Sequence, residues 1–268
     1  MPVIKDQAVC IRHWDWSETS QTVSLFTREH GVLRAVAKGA RRDKSPFSGG
    51  LELVTLADMV AIVRQNERAP DAMATLTAWD LLDPLPDIRR SLAAFYTALY
   101  FADIIHHAVR DSDPHEALFD RFVACLRELT APEVVPVVLL RFQWCALVQL
   151  GFAPEISRSA TTGAEVPPAA VLGFSPSLGG LVELSDRSGA VSTEHRVWRV
   201  REETFRALRA TAEGERHSWP VSRFAELGIS TDVVGRANRL LAWYLRHVLG
   251  DWPRSVATAI PGVIEVEP

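Results

Sequence analysis

A cluster of positively charged side chains is the part of this sequence best suited to chemistry with another molecule. Between residues 34 and 44 the chain has five basic residues against one acidic residue, Asp43. The basic residues are Arg34, Lys38, Arg41, Arg42 and Lys44. Lysine and arginine neutralise phosphates and release the counterions around a nucleic acid, which gives salt-sensitive binding with little sequence preference. The cluster therefore predicts a phosphate-binding loop; a solvated loop whose charges only favour solubility is the alternative interpretation.

Two tryptophans, Trp14 and Trp16, flank Asp15 upstream of this cluster. An indole ring can stack on a base, at about 1–3 kcal/mol per base, so the pair is a candidate for binding single-stranded nucleic acid. Their spacing equally suits two rings at the end of a strand, with one of them filling the interior of a barrel. Asp15 and Glu18 would repel phosphate, which counts against the first interpretation.

The other reactive side chains form no pattern typical of an enzyme. His106, His107 and Asp111 have a metal-site composition, but the sequence has no HExxH motif or EF-hand loop, and a polar link between helices is the simpler interpretation. The sequence also lacks a GxxxxGK[ST] phosphate loop and a GxSxG nucleophile motif. We therefore predict a protein that is not an enzyme. A metal-dependent enzyme built around these three residues is the least favoured hypothesis.

The composition is that of a soluble globular protein. A chain of 268 residues, 47% hydrophobic and 23% charged, allows one large or two ordinary domains. A net charge of −4 does not indicate nucleic-acid binding, so such binding would need a local basic surface on an acidic body. The N-terminus lacks the apolar core of a signal peptide, and no apolar run approaches the roughly 18–20 residues of a membrane helix. The three cysteines lie far apart, without a CxxC pair, so we predict a cytoplasmic protein without disulfides.

The first 80 residues have the pattern of a small β-barrel, which would position the candidate side chains. Alternating apolar and polar residues, with a tight hairpin at Gly31, predict five strands: Ala8–Arg12, Gln21–Thr27, Gly31–Lys38, Met59–Arg64 and Met73–Trp79. Both tryptophans would then lie in a loop over residues 13–19, and the basic cluster would lie in the third strand and the loop after it. Five strands of this length suit an OB fold, and the count equally allows an SH3-like barrel.

From residue 81 onward the period becomes helical. Apolar stripes and end signals predict helices over Ile88–Val109, His115–Leu129, Pro132–Leu150, Glu202–Ala212 and Asp232–Leu249. Residues 151–195 are rich in glycine, proline, serine and threonine and are expected to be irregular, and Val197–Val200 is expected to be a short strand. The sequence thus predicts an α+β protein with a barrel domain, residues 1–80, and a helical domain, residues 81–268.

The stretch LFTREHGVLRAVAKGARR, followed by Ser45 and by GGLE at residues 49–52, resembles the N-terminal domain of the RecO family of bacterial recombination mediators. The resemblance favours the OB fold over the SH3-like barrel and implies a helical domain after it. It also implies binding of single- and double-stranded DNA, annealing of complementary strands without nucleotide hydrolysis, and help in loading a recombinase during DNA repair and recombination. A cytoplasmic protein associated with the nucleoid is the corresponding expectation.

The same resemblance implies two protein partners. These are the single-stranded DNA-binding protein, through its acidic C-terminal tail, and RecR. A tail that is acidic and ends in apolar residues needs a cation beside exposed apolar side chains, and Arg121, Arg127 and Arg141 in the helical region are candidates.

Two alternatives stay open from the sequence. One is a protein-interaction adaptor that has kept the fold but lost DNA binding, which the negative net charge and Asp43 suggest. The other places DNA on a second basic strip formed by Arg199, Arg201, Arg206 and Arg209. Glu202 and Glu203 interrupt that strip, so we rank it below the barrel loop.

Many RecO-like proteins carry a four-cysteine zinc motif after the central helices. The corresponding positions of this chain are Ser159, Thr162, Glu183 and Asp186. Hydroxyls and carboxylates cannot match four thiolates as zinc ligands. We therefore expect no structural zinc and no other cofactor, and the order of residues 155–190 without a metal stays open.

Overall fold

A computed structural model of the chain describes residues 2–42, 45, 47–48, 51–63, 73–166, 169, 171–184, 196–251 and 253–264. The chain divides into two compact units, residues 1–131 and 132–268, and each is described by itself. Lys44, one of the predicted cationic residues, and Asp43 and Asp186 lie outside the described residues.

The first unit is built on a closed barrel of five strands. They are β1 (Val3–Asp15), β2 (Gln21–Thr27), β3 (Gly31–Ala37), β5 (Leu56–Ile62) and β6 (Ala74–Asp83), while the two-residue strand β4 (Phe47–Ser48) adds to β6. Around the barrel the order is β1-β2-β3-β6-β5 and back to β1, and the β3–β6 contact that closes it is parallel. This is the strand order of an OB fold, so the predicted α+β class and barrel type are confirmed.

Strand β1 is much longer than the predicted Ala8–Arg12. Its first half pairs with β5 and its second half pairs with β2, with a bulge between Cys10 and Arg12. A bulge bends a strand and increases its twist, so one strand can serve both neighbours in the barrel. The predicted loop over residues 13–19 is therefore wrong at its start, because Trp14 lies in β1 and the connection to β2 covers residues 16–20.

The barrel interior follows the period-two pattern of the sequence. Val23 and Leu25 of β2, Ala35 and Ala37 of β3, and equivalent residues of the other strands form one buried cluster. Trp79 of β6 is fully buried in that cluster, whereas Trp14 and Trp16 are 47% and 60% exposed. The interpretation in which one of those two rings fills the barrel is therefore wrong, and Trp79 fills it instead.

A short 3-10 helix and two α-helices follow the barrel in the described part of the first unit. The predicted helix Ile88–Val109 is in fact a 3-10 helix over Pro86–Arg90 followed by α1 (Leu92–Ala108). The two are separated at Ser91, whose extended backbone and side-chain hydrogen bond to the Ala94 N–H cap α1. Helix α2 (Glu116–Glu128) matches its prediction within a residue at each end.

Contacts between side chains hold both helices against the barrel. Arg12 of β1 forms a 2.6 Å ion pair with Asp103 of α1, and both side chains are largely buried. Phe26 of β2 packs against Phe119 and Phe122 of α2, with ring centroids 5.4 and 5.9 Å away. The outer face of the barrel is therefore a second hydrophobic surface.

The hairpin between β2 and β3 closes at Gly31, as predicted, with φ at +67°. The segment between α1 and α2 runs directly over this glycine. Asp111 forms isolated bridges with Gly31 and Val32, and the Ser112 N–H donates to the Val32 carbonyl at 3.1 Å. A Cβ at position 31 would lie 2.6 Å from the carbonyl carbon of Asp113, so only glycine fits there without displacing the backbone.

The second unit combines helices with a small sheet. Its helices are α3 (Val135–Gln149), α4 (Glu202–His217), α5 (Arg223–Glu226), α6 (Thr231–Leu249) and α7 (Val256–Ala259). The sheet has the order β8-β7-β9, from β7 (Val171–Ser175), β8 (Gly180–Val182) and β9 (Trp198–Arg201). Phe174 of β7 stacks on Trp198 of β9 at 5.7 Å and contacts Tyr244 of α6 edge-on at 5.3 Å, which joins sheet to helix.

Residues 151–195, expected to be irregular, include part of this sheet. Strands β7 and β8 form a hairpin through a turn at residues 176–179, and Gly179 takes a φ of +72° there. The strands are only five and three residues long, which is too short for an alternating pattern to register in the sequence. The short strand predicted at Val197–Val200 is present as β9.

Candidate nucleic-acid interface

The connection between β1 and β2 and the segment after β3 meet at one edge of the barrel and enclose a concavity. Its volume is about 300 Å³, and Trp16, Ser20, Lys38 and Arg42 are among its lining residues. An aromatic ring and two cations are thus brought around one depression. Stacking on a base and neutralising a phosphate are what this combination can do chemically.

Backbone hydrogen bonds fix the shape of this edge. Gly39 takes a φ of +73°, and the Arg42 N–H donates to its carbonyl at 3.1 Å, which closes a turn after β3. The Arg41 N–H donates to the Thr19 carbonyl at 3.2 Å, so the turn is tied to the connection between β1 and β2. The cationic turn is therefore held in place by the chain itself.

The predicted cations differ in their ion pairing. Arg34 lies exposed on β3 and pairs with Asp111 at 3.2 Å, and Arg41 pairs with Asp15. Lys38 and Arg42 are also exposed, and neither pairs with a carboxylate in the described part of the chain. The structure therefore brings Trp16, Lys38 and Arg42 together, whereas Arg34 and Arg41 already carry internal partners. Trp14, at the end of β1, is exposed but does not line the concavity.

Two arginines of the alternative basic strip, Arg206 and Arg209, form contacts within the protein. Arg206 donates to the Gly228 carbonyl at 3.3 Å, and Arg209 donates to the Ile156 carbonyl at 3.1 Å and pairs with Glu202. Arg199 and Arg201 are exposed, since they alternate along β9 with buried neighbours. Two of the four arginines therefore face solvent from the strand.

A second cationic concavity, of about 420 Å³, lies in the second unit and was missed from the sequence. Its lining includes Arg196, Arg246 and His247 beside Trp243, and the Arg246 guanidinium lies over the Trp243 ring at 5.1 Å. These residues come from the segment before β9 and from the end of α6, roughly fifty residues apart, so no local pattern in the sequence indicates the site.

The three arginines predicted to bind a partner lie in different environments. Arg141 is 7% exposed at its side chain and pairs with Glu215 at 2.9 Å, so it stabilises the interior of the second unit and cannot form part of a docking surface. Arg121 is mostly buried beside Glu128, at 3.5 Å. Only Arg127 is well exposed, where it pairs with Asp83 at 3.0 Å.

The first unit also has a mostly apolar groove of about 740 Å³. Leu51, Leu53, Leu92 and Phe95 line it, with Arg89 at its edge. Leu92 is 67% exposed, although it is the first residue of α1. Arg89 donates to the carbonyls of Pro84 and Leu53 and lies 3.4 Å from Glu52. The groove combines an exposed leucine and a half-buried phenylalanine with a cation, and Glu52 also lines it. An apolar surface beside a cation is the composition expected of a site for an acidic, apolar-ended tail.

The residues considered as metal ligands do not converge. His107 contacts the Asp103 carbonyl through Nδ1 at 2.7 Å, and Asp111 pairs with Arg34. Burial, with the positive charge of Arg12 nearby, lowers the pKa of His106 to about 4. No three histidine, cysteine, aspartate or glutamate side chains come together as a metal site anywhere in the described residues.

The position of the zinc motif of RecO-like proteins is a turn held by a serine. Ser159 is buried, and its hydroxyl accepts the N–H groups of Thr161 and Thr162, each at 3.4 Å. The Gly163 N–H donates to the Ser159 carbonyl at 2.8 Å, and Ala160 is bonded to Leu181 of β8 at 2.7 Å. Thr162 and Glu183 are exposed. The donor set does not fit zinc, and the turn is formed by its own hydrogen bonds.

We expect Ser159→Ala to lower the free energy of unfolding by about 1 kcal/mol, because the Thr161 and Thr162 N–H groups lose the buried hydroxyl that accepts them. Ser157→Ala is the matched control, since Ser157 is exposed on the same segment. Denaturant unfolding of both variants and the wild type measures the difference, and a chelator should leave the wild-type midpoint unchanged. Equal midpoints for the two variants would show that the Ser159 hydroxyl is dispensable.

The described helices include none that is both long and apolar enough to cross a lipid bilayer.

Comparison with known proteins gives consistent matches over almost the whole chain. Residues 1–84 match the family model described as Recombination protein O N terminal, and residues 89–257 match Recombination protein O C terminal. The change between the two models coincides with the change of period in the sequence.

Among individual proteins, the DNA repair protein RecO of Cutibacterium acnes is 28% identical over 260 residues, which is 94% of this chain and 98% of that protein. The DNA repair protein RecO of Myxococcus xanthus is 30% identical over 94% of both chains. That of Rhodopirellula baltica is 33% identical over 156 residues, 58% of this chain and 56% of the relative.

Proposed function

This chain belongs to the RecO family of DNA repair proteins, and from that premise we propose that its barrel binds single-stranded DNA and promotes the pairing of complementary strands. The observation that carries the proposal is the concavity lined by Trp16, Lys38 and Arg42. In this proposal Lys38 and Arg42 neutralise phosphates of the strand, and a base stacks on the exposed ring of Trp16. Double-stranded DNA would bind through the phosphate contacts alone.

Strand pairing on such a surface needs no catalytic residue. Two DNA strands repel each other through their phosphates, and a cationic surface lowers that repulsion. The same surface raises the local concentration of both strands. We therefore assign the protein no enzymatic step and no cofactor. Assistance in loading a recombinase is the second part of the proposal, and a place at the nucleoid follows from binding DNA.

The proposed protein partners are the single-stranded DNA-binding protein and RecR, as family membership suggests. For the acidic tail of the first, the groove offers the exposed side chain of Leu92 and the half-buried ring of Phe95, and Arg89 in its lining would supply a positive charge. Arg127 remains the exposed cation among the three predicted from the sequence. No surface is assigned to RecR.

A protein-interaction adaptor without DNA binding is the second candidate. The specific observation that favours it is that Arg34 and Arg41 are paired with Asp111 and Asp15. If carboxylates of the protein paired with all the basic residues of this surface, the net charge of −4 would repel DNA.

Binding of a fluorescent single-stranded oligonucleotide across a salt series separates the two candidates. Two phosphates neutralised by Lys38 and Arg42 predict a slope of log K against log salt of about −1.4 or steeper. Annealing of complementary oligonucleotides, measured in the same buffers, should be accelerated by the protein and should lose that acceleration as salt rises. If the wild type binds no DNA even at low salt, the adaptor function is the one that stands.

A further inference from the structure

Asp15 is the carboxylate partner of Arg41 beside the proposed DNA site. Its carboxylate pairs with the Arg41 guanidinium, and it lies between the two exposed tryptophans, Trp14 and Trp16. Both partners are well exposed, with side-chain exposures of 65% for Asp15 and 41% for Arg41. A guanidinium binds carboxylates and phosphates through the same fork of N–H groups, so the two anions compete for one donor set.

The exchange of one anion for the other requires no refolding. The turn after β3 is tied to the connection before β2 by the bond from Arg41 N–H to Thr19, and the Gly39 N–H lies 3.4 Å from the Ser20 hydroxyl. Neither bond involves the carboxylate of Asp15. Release of Asp15 therefore frees the guanidinium while the backbone of the site stays in place.

We propose that Asp15 is an internal competitor for DNA phosphate at Arg41, and that it sets the affinity and the salt dependence of binding. The inference rests on the proposed function, because it concerns the same site. An exposed ion pair is weak enough for a phosphate to displace it, and strong enough to reduce binding severalfold.

The competition has a distinct signature in the salt dependence. When a phosphate displaces Asp15, the freed carboxylate stays beside the DNA and offsets the charge of Arg41. Arg41 with Asp15 beside it therefore neutralises one phosphate fewer than Arg41 alone would, and fewer counterions are released from the strand. Rising salt also weakens the pair between Asp15 and Arg41, which makes Arg41 more available and flattens the slope further.

The test compares Asp15→Asn with Glu18→Gln, both alone and in an Arg41→Gln background. Asp15 ends β1 and Glu18 lies in the connection that follows it, so each substitution removes one negative charge from the same short stretch of chain. Glu18 is exposed and forms no ion pair in the described part of the chain. We expect Asp15→Asn to bind a single-stranded oligonucleotide about two- to fivefold more tightly than Glu18→Gln at low salt. Its salt slope should be steeper than that of the wild type by about 0.7. In the Arg41→Gln background the two substitutions should have equal effects.

An equal gain from Asp15→Asn and Glu18→Gln would overturn the proposal, because it would show only a general effect of charge. A gain from Asp15→Asn that persists with Arg41→Gln would overturn it as well. In both cases the wild type would still bind DNA, so the proposed function would stand. Absence of DNA binding by the wild type would overturn both the proposed function and the competition by Asp15.

Discussion

Reversing the charge of Arg41 and Arg42 together should weaken binding of single-stranded DNA about 100-fold at low salt, near 50 mM. At that concentration the lost phosphate contact of Arg42 accounts for about an eightfold change in affinity on the counterion-release relation. Repulsion by the two introduced glutamates and by the unpaired Asp15 accounts for the rest. The slope of log K against log salt should become shallower by about 0.7, the contribution of Arg42, because Asp15 already offsets the charge of Arg41 in the wild type. Fluorescence anisotropy with a labelled oligonucleotide measures both quantities, and strand annealing should fall in parallel.

The control for this variant carries the same change of charge elsewhere. Arg199→Glu/Arg206→Glu alters two exposed arginines of the second unit and makes the whole protein equally more negative. We expect it to retain affinity within about twofold at the same salt concentration, because Arg199 and Arg206 do not belong to the proposed DNA site. A large loss in the control with little loss in Arg41→Glu/Arg42→Glu would instead locate the DNA site on the second unit.

Replacing Gly31 with alanine should lower the free energy of unfolding by about 3 kcal/mol. The backbone at this position is left-handed, with φ at +67°, and that conformation costs about 1–2 kcal/mol for a residue with a Cβ. The new Cβ would also lie 2.6 Å from the carbonyl carbon of Asp113, so the segment between the two helices has to move. Thermal or denaturant unfolding of the full chain gives the difference in stability.

Gly39→Ala separates the two contributions to this cost. Gly39 has a nearly identical φ of +73°, but a Cβ there would meet only the flexible Arg42 side chain, at an ordinary 3.4 Å. This variant should lose about 1 kcal/mol, the backbone cost alone. Similar losses for the two variants would mean that the close approach of the new Cβ at position 31 to Asp113 costs no stability.

The barrel was predictable because its chemistry is local. Val23 and Leu25 lie on either side of Ser24, and Ala35 and Ala37 follow Arg34 at the same period of two, which the buried face of a strand requires. The length of β1 was not predictable from its residues. Pairing with β5 stabilises its N-terminal half and pairing with β2 stabilises its C-terminal half, and the local hydrophobic pattern shows neither. The break at Ser91 depends on a cap that the apolar stripe of α1 conceals.

The candidate site was predictable only in its cations. Lys38 and Arg42 lie four residues apart, so a single turn brings them together and the sequence shows it directly. The pairs that modify the site join residues far apart, since Arg41 meets Asp15 across the barrel edge and Arg34 meets Asp111 after α1. Arg141 was misassigned for the same reason, because its burial beside Glu215 depends on how α3 and α4 pack.

The turn at Ser159 bears on how the protein withstands peroxide. A thiolate that ligates zinc is a nucleophile, and its oxidation to a sulfenic acid or a disulfide releases the metal and the fold that depends on it. A serine hydroxyl does not undergo this oxidation, and the three cysteines of the chain are all buried. We therefore expect the hairpin of the second unit to withstand oxidising conditions that would release zinc from a site with four thiolates.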